Sequence, residues 1–347
     1  MQEPELVGHQ IGGCTIDSLL AVGTFSFVYI CTNIKYQEKR VMKAIPKVSK
    51  YGEVQVDLVH AKRELDVLCR LYHPNVLRYI ETVENDEFIF VFTEFCEGET
   101  LLQFLLQRTV VEYRDFVDIA RQLLNAIEYI HSQNIAHRDL KLENIMISNR
   151  MKVKIIDFGL SNFTQGNSLL STYCGSMQYV PPEIICQEPY NGKMADIWSL
   201  GIVFYSLLVG RFPWPDENLS LLMNHIKEGN LTFPYFVNQC CIPTITKMLS
   251  KMADHRPNAS EILDEQWLVE RTRSLGVLPQ LVQLNKSDQQ ILEKKQQNSM
   301  KPRLLTHDKI PKLRVKKHID LKCRNSIMQS SHCLVTPNIM KNIGVLQ

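Results

Sequence analysis

His137-Arg-Asp-Leu-Lys-Leu-Glu-Asn144, answered downstream by Asp157-Phe-Gly159, is the stretch that decides how this chain folds. Asp139 and Asn144 stand five residues apart, which places both on one short loop. Asp157 follows eighteen residues after Asp139. Two apolar runs lie between them, Ile145-Met-Ile147 and Val153-Lys-Ile-Ile156. That is room for a strand, a turn and a second strand, so the spacing predicts that the two carboxylates return to one place.

The pattern can be followed outward from there. Leu19-Leu-Ala-Val22 and Phe27-Val-Tyr-Ile30 read as strands about a turn at Gly23, and Val41-Met-Lys-Ala-Ile45 as another. Leu58, Ala61, Leu65, Leu68 and Leu71 recur at threes and fours, predicting a helix over 57–71 that Pro74 cannot continue. Tyr79–Val83 and Phe88–Phe95 form a strand pair around Glu84-Asn-Asp-Glu87. Past Gly98 the period turns helical. Phe116, Ile119, Ala120, Leu123, Leu124, Ile127 and Ile130 make one stripe, and Ile197–Val209 is apolar nearly all round, as a buried helix is. The expected fold class is α+β in two lobes. A small β-rich lobe with one main helix covers about 16–95, and a larger helical lobe about 96–268, joined near Glu94–Gly98. Residues 269–347 hold runs of Gln, Lys, Ser and Asn with few aromatics, and are expected to form a basic, largely flexible tail.

Of the 347 residues, 45% are apolar and 22% charged, and Gly and Pro number 15 each, which excludes collagen-like and Pro-rich disordered classes. Apolar runs such as Ile202–Val209 fall short of the ~20 residues a bilayer needs, so no membrane span is expected. The acidic start lacks the order of a signal peptide, and Gln2 does not suit myristoylation. A soluble cytoplasmic protein is expected, and its ten cysteines, without C-x-x-C spacing, are expected to be free thiols. The net charge of +2 hides an asymmetry: residues 271–347 carry 15 Lys/Arg against 4 Asp/Glu, leaving 24 against 33 before them.

The motifs of the opening match H-R-D-L-x-x-x-N and D-F-G, and residues 16–268 resemble a eukaryotic protein kinase. Details point to the Ser/Thr type, in the calcium/calmodulin-dependent group near its AMP-activated and sucrose-nonfermenting-related branch. The resemblance implies a bilobal fold, ATP and Mg²⁺, and transfer of the γ-phosphate to Ser/Thr of protein substrates. It implies Asp139 as the base orienting the acceptor hydroxyl, Lys141 beside the moving phosphate, and Asn144 and Asp157 as Mg²⁺ ligands. Lys43 would hold the α/β-phosphates, paired with Glu64. Thr93 fits the gatekeeper, Glu94 and Cys96 offer hinge backbone to adenine, and Met146 fits the floor. Glu183 would pair with Arg256, and Asp196 would bind backbone N–H groups of the catalytic loop.

Several positions depart from the family pattern. The phosphate loop reads Ala21-Val-Gly-Thr-Phe-Ser-Phe-Val28, where only Gly23 survives of three glycines. Val28 lies fifteen residues before Lys43, as the resemblance requires, so Ala21, Val22, Gly23 and Val28 are assigned to the nucleotide, with weakened binding expected. Val41 replaces the usual Ala over adenine. Thr100 stands where a ribose-contacting Glu is frequent, with Glu97 or Glu99 as substitutes. Leu170-Ser-Thr-Tyr-Cys-Gly-Ser176 places Thr172 at an activating phosphorylation position, which implies an upstream kinase, with Arg138 as the partner of the phosphate. Glu143 and the acidic body favour basic substrates.

Lys312-Leu-Arg-Val-Lys-Lys317 reads as a nuclear import signal, an anionic-surface contact, an autoinhibitory segment or a plain solvated linker. Two rivals to an active kinase stand beside it: a scaffold that kept the fold without phosphotransfer, and a nucleic-acid-binding tail, which is not expected.

Overall fold

Alternation in the N-terminal strands sorts the side chains onto two faces. A computed structural model describes residues 4–23, 26–47, 57–108, 111–164, 166, 168–215 and 218–269. Its first lobe holds β1 (Gln10–Ile11), β2 (Cys14–Val22), β3 (Phe27–Asn33), β4 (Lys39–Pro46), α1 (Asp57–Leu68), β5 (Tyr79–Glu84) and β6 (Phe88–Glu94). The strands form one antiparallel sheet in the order β1-β2-β3-β4-β6-β5. Phe27, Tyr29 and Cys31 of β3 join Met42, Ala44, Phe90 and Phe92 in a buried cluster. The intervening residues must therefore face the other way, because successive strand side chains alternate.

α1 ends three residues before the expected position. Cys69, Arg70 and Leu71 donate to Leu65, Val67 and Leu68 carbonyls in a tightening turn, so Leu71 is buried from a loop. The chain then docks on the second lobe. Asn75 donates to Val153 O (2.7 Å), and Ile155 N donates back to Asn75 O (2.9 Å).

The second lobe contains β7 (Glu99–Thr100), α2 (Leu101–Gln107), α3 (Tyr113–Ser132), β8 (Ile135–Ala136), β9 (Ile145–Ile147), β10 (Val153–Ile155) and β11 (Asn162–Phe163). α4 (Pro182–Ile185), α5 (Gly192–Val209), α6 (Leu219–Glu228), α7 (Ile242–Met248), α8 (Ala259–Leu263) and α9 (Gln266–Val269) complete it. The predicted stripe of α3 is buried along its whole length. α5 starts at Asn191, whose side chain accepts from Lys193 N and Met194 N, and stops at Gly210 in the left-handed region (φ 78°). Among the described residues α5 is the one helix long and apolar enough to cross a membrane; 83% of it is buried inside the lobe, as in a core helix. The described part thus has the two-lobed α+β architecture. Its cysteines are free thiols. All described residues fall in one unit, 1–315; the tail, including Lys312–Lys317, lies outside them.

Candidate active site

Directly opposed residues of antiparallel strands share a face, so register decides which side chains meet. Val28 stands opposite both Ala21 and Lys43, and Val41 opposite Thr93. Ala21, Val28, Val41, Lys43 and Thr93 therefore occupy one face, opposite the cluster of Phe27, Tyr29, Met42 and Phe92. The fifteen-residue interval between Val28 and Lys43 is the length of the β3–β4 hairpin that pairs them. Val22 pairs with Phe27, so it is placed on the other face and offers only its backbone. Gly23 N donates to Ser26 O (2.8 Å), closing the turn; Thr24 and Phe25 lie outside the described residues. Leu20, not assigned from the sequence, is skipped by the β2–β3 register and left 52% exposed beside this face.

Lys43 Nζ meets both oxygens of Glu64 at 2.7 Å, linking β4 to α1. The pair is mostly buried, which strengthens it relative to a surface pair. At the end of β6, Glu94 Oε1 accepts from Arg78 N (2.8 Å) and Lys154 Nζ (2.8 Å). Burial pushes the Cys96 thiol up to about 12, so it is a neutral group there.

The next segment shows the local role of Thr100. Its hydroxyl accepts from Gln103 N and its N–H donates to the Gln103 side chain, a reciprocal cap of α2. Thr-x-x-Gln signals this cap in the sequence. Glu99 lies 3.8 Å from Arg108, an ion pair of its own. Met146 pairs with Thr100 and Lys154 in the β7-β9-β10 sheet, which puts it beside the connection between the lobes.

Asp196 is fully buried on α5 and organises the catalytic loop. It accepts from His137 N (2.8 Å), Arg138 N (2.7 Å) and the His131 ring (2.9 Å). Arg138 adopts φ 66° to aim both amides inward, a conformation that costs a non-glycine residue about 1 kcal/mol or more. Asp139 is then gripped from several sides. Oδ2 accepts from Lys141 Nζ (2.6 Å) and Asn144 Nδ2 (3.0 Å); Oδ1 accepts from Ser176 N (3.2 Å) and Ser176 Oγ (3.0 Å). Lys141 Nζ also reaches Ser176 Oγ at 2.9 Å. Sequence reading took Gly175-Ser176 as a sign of the Ser/Thr type but missed the contact of Ser176 with Asp139, because 37 residues separate them and no local spacing signals it.

The β9–β10 hairpin performs the predicted return: Ile156 N donates to Asn144 O (2.8 Å), so Asp157 starts beside Asn144. Asp157 holds φ 61°, and its carboxylate accepts from Gly159 N (3.2 Å). Phe158 is fully buried, its ring 4.8 Å from His137. A Cβ on Gly159 would lie 3.2 Å from Asp157 Oδ1 and 3.8 Å from Glu64 Oε2, which places Asp157 near the Lys43–Glu64 pair. Since Asn144 donates through its nitrogen, its amide oxygen is the free end, and with Asp157 it makes a hard oxygen pair suited to Mg²⁺. Among the described residues no three His, Cys, Asp or Glu side chains form a metal cluster. A cation here would take its remaining ligands from water or a bound substrate.

Downstream, Glu183 and Arg256 form the expected pair with two bonds of 2.7 and 2.8 Å. Thr172 is exposed. Arg138 Nη1 lies 3.4 Å from its carbonyl.

The model of the protein kinase domain family matches residues 15–268. Similar curated proteins include the serine/threonine-protein kinase ppk25 of Schizosaccharomyces pombe, 34% identical over 75% of this chain and 61% of that protein. The serine/threonine-protein kinase kin-29 of Caenorhabditis elegans is 32% identical over 75% of this chain and 31% of its own length. The carbon catabolite-derepressing protein kinase of Secale cereale is 32% identical over 76% and 53%. The alignments thus span between 31% and 61% of the length of these relatives.

Proposed function

The chain belongs to the protein kinase family, and from that premise we propose that it is an active ATP-dependent serine/threonine kinase of the AMP-activated and sucrose-nonfermenting-related branch. The observation that carries the proposal is the grip on Asp139. Lys141, Asn144 and Ser176 hold both carboxylate oxygens in one orientation. An acceptor hydroxyl meets a fixed base there, and positioning of this kind supplies much of the rate of phosphoryl transfer.

In this reading Val28, Val41, Leu20 and Met146 enclose the purine, and the backbone of Glu94 and Cys96 gives it hydrogen bonds. Lys43, oriented by Glu64, answers the phosphates. The Gly23 turn is assigned to the same anion, although Ala21 and Ser26 replace glycines and the Gly23 N–H is spent on Ser26 O. Asn144 and Asp157 would hold Mg²⁺, which when bound neutralises the phosphate oxygens. Lys141 carries positive charge to the same place. The named relatives are serine/threonine kinases, which supports protein Ser/Thr acceptors.

Phosphorylation of Thr172 by an upstream kinase, preference for basic substrates, cytoplasmic residence and nuclear entry through Lys312–Lys317 belong to the same proposal. No observation favours the scaffold alternative: the residues it would lack are present and in contact.

The test is γ-phosphate transfer from Mg-ATP to a mixed Ser/Thr peptide set, with Asp157→Asn as control. Transfer by the wild type and not by the control is expected. A folded wild type that transfers nothing would return the scaffold reading.

A further inference from the structure

Arg138 is 6% exposed, yet among the described residues no carboxylate pairs with its guanidinium. Neutral oxygens answer it instead. Nε donates to Leu160 O (2.7 Å), and Nη1 lies 3.4 Å from both Thr172 O and Tyr190 Oη. Tyr190 does more than accept. Its hydroxyl donates to Thr172 O at 2.9 Å, a better bond than Arg138 makes to the same atom. Its backbone exchanges two bonds with Leu170, at 2.8 and 2.9 Å. The ring is 2% exposed, and burial pushes the hydroxyl up to about 12, so it stays a neutral donor near pH 7.

Thr172 lies four residues before Ser176, the residue that grips Asp139 through its N–H and Oγ. Gly175 between them sits at φ 114°, and a Cβ there would lie 3.1 Å from Arg138 O and 2.9 Å from Val180 Cγ1. The segment is therefore pinned at both ends: by Tyr190 and Arg138 at Thr172, and by Asp139 and Lys141 at Ser176.

We infer that Tyr190 is a positioning residue that holds the Thr172–Ser176 segment on Asp139 before any phosphate is present, and so sets the activity of the unmodified enzyme. The inference rests on the kinase reading and on Thr172 as the modified residue. A phosphate on Thr172 gives Arg138 an ionic partner, stronger than the neutral oxygens it then leaves. Tyr190 thereby becomes dispensable once Thr172 carries phosphate. The size of the switch is set by how well Tyr190 performs in the phosphate's absence.

The experiment compares wild type and Tyr190→Phe, as full chains, each with unmodified Thr172 and with genetically encoded phosphothreonine at 172. Tyr190→Phe keeps the buried ring and removes only the hydroxyl. In the unmodified chain kcat should fall about 3- to 10-fold with KM for ATP unchanged, the effect of losing one or two hydrogen bonds. In the phosphorylated chain the loss should stay below about twofold. An equal loss in both forms assigns Tyr190 to the general fold and overturns the inference, as does no loss in either. If neither wild-type form transfers phosphate, the activity proposal fails separately. Amide exchange over 170–176 then decides: faster exchange in unmodified Tyr190→Phe supports the inference, and unchanged exchange overturns it.

Discussion

Glu94 and Lys154, 60 residues apart, meet at 2.8 Å across the connection between the lobes. Lys154 Nζ also donates to Pro74 O (2.9 Å), and Glu94 also accepts from Arg78 N (2.8 Å). One ammonium thus ties the end of β6 and the 73–78 loop to β10. Lys154→Met should lower stability by about 1 kcal/mol, a partly exposed pair being discounted for screening. Urea denaturation measures this. Lys154→Arg should recover part of the loss, while an unchanged midpoint in Lys154→Met would remove the tie.

The Lys43–Glu64 pair makes a different prediction, since it serves orientation more than stability. Glu64→Gln should cut kcat about 100-fold, the scale of losing one oriented electrostatic group, with little change in melting temperature. Steady-state kinetics beside a thermal melt separate the two effects. A large drop in the melt with intact kcat would reverse the assignment.

Glu183 faces a guanidinium whose side chain is fully buried. Glu183→Ala strands that charge, and removing one partner of a buried pair typically costs about 3–5 kcal/mol. Arg256 keeps bonds to Ser250 O and Met194 O, so the lower end is expected. Chemical denaturation of the variant checks it, a loss under about 1 kcal/mol being the contrary result.

Gly98 holds φ 124°, and a Cβ there would come 2.1 Å from Ile147 O. Backbone cannot yield as a side chain can. Gly98→Ala should destabilise by about 2 kcal/mol or more through strain and the shifted β7–β9 pairing. An unfolding midpoint equal to wild type would show that the connection tolerates displacement.

His73 carries the pH prediction. Its Nδ1 accepts from Asn75 N (3.2 Å), its ring stacks on Tyr129 at 5.2 Å, and burial, then Lys154, lower its pKa below the ordinary 6.5. The unfolded chain therefore binds a proton at a pH where the folded one does not, and stability falls as pH drops below about 6.5. His73→Gln should show a shallower decline in melting temperature from pH 7 to 5. Parallel curves for the two proteins would refute the assignment.

The partners Lys43 and Glu64 came from the family resemblance; local period and turn chemistry were enough to place the main strands, α3, α5 and the return of Asp157 to Asn144. Those signals need only neighbours in sequence or a hairpin of known length, as Val28 and Lys43 show. Thr100 was read only for its family position, although its cap was legible as Thr-x-x-Gln. Val22 was assigned with Ala21 by motif, and strand alternation leaves only its backbone for that role.

The sequence by itself determined the family, the two-lobed fold and the residue types on the sheet face assigned to the nucleotide, since these follow from motifs whose spacing sets their geometry. Only the tertiary structure decided what holds them: Ser176 on Asp139, Tyr190 on Thr172, Lys154 on Glu94. Each joins residues 18 to 60 positions apart, at distances set by how whole elements pack. No periodicity in the chain encodes such a meeting, because its partners are neighbours only through the packing of whole elements and not through the sequence.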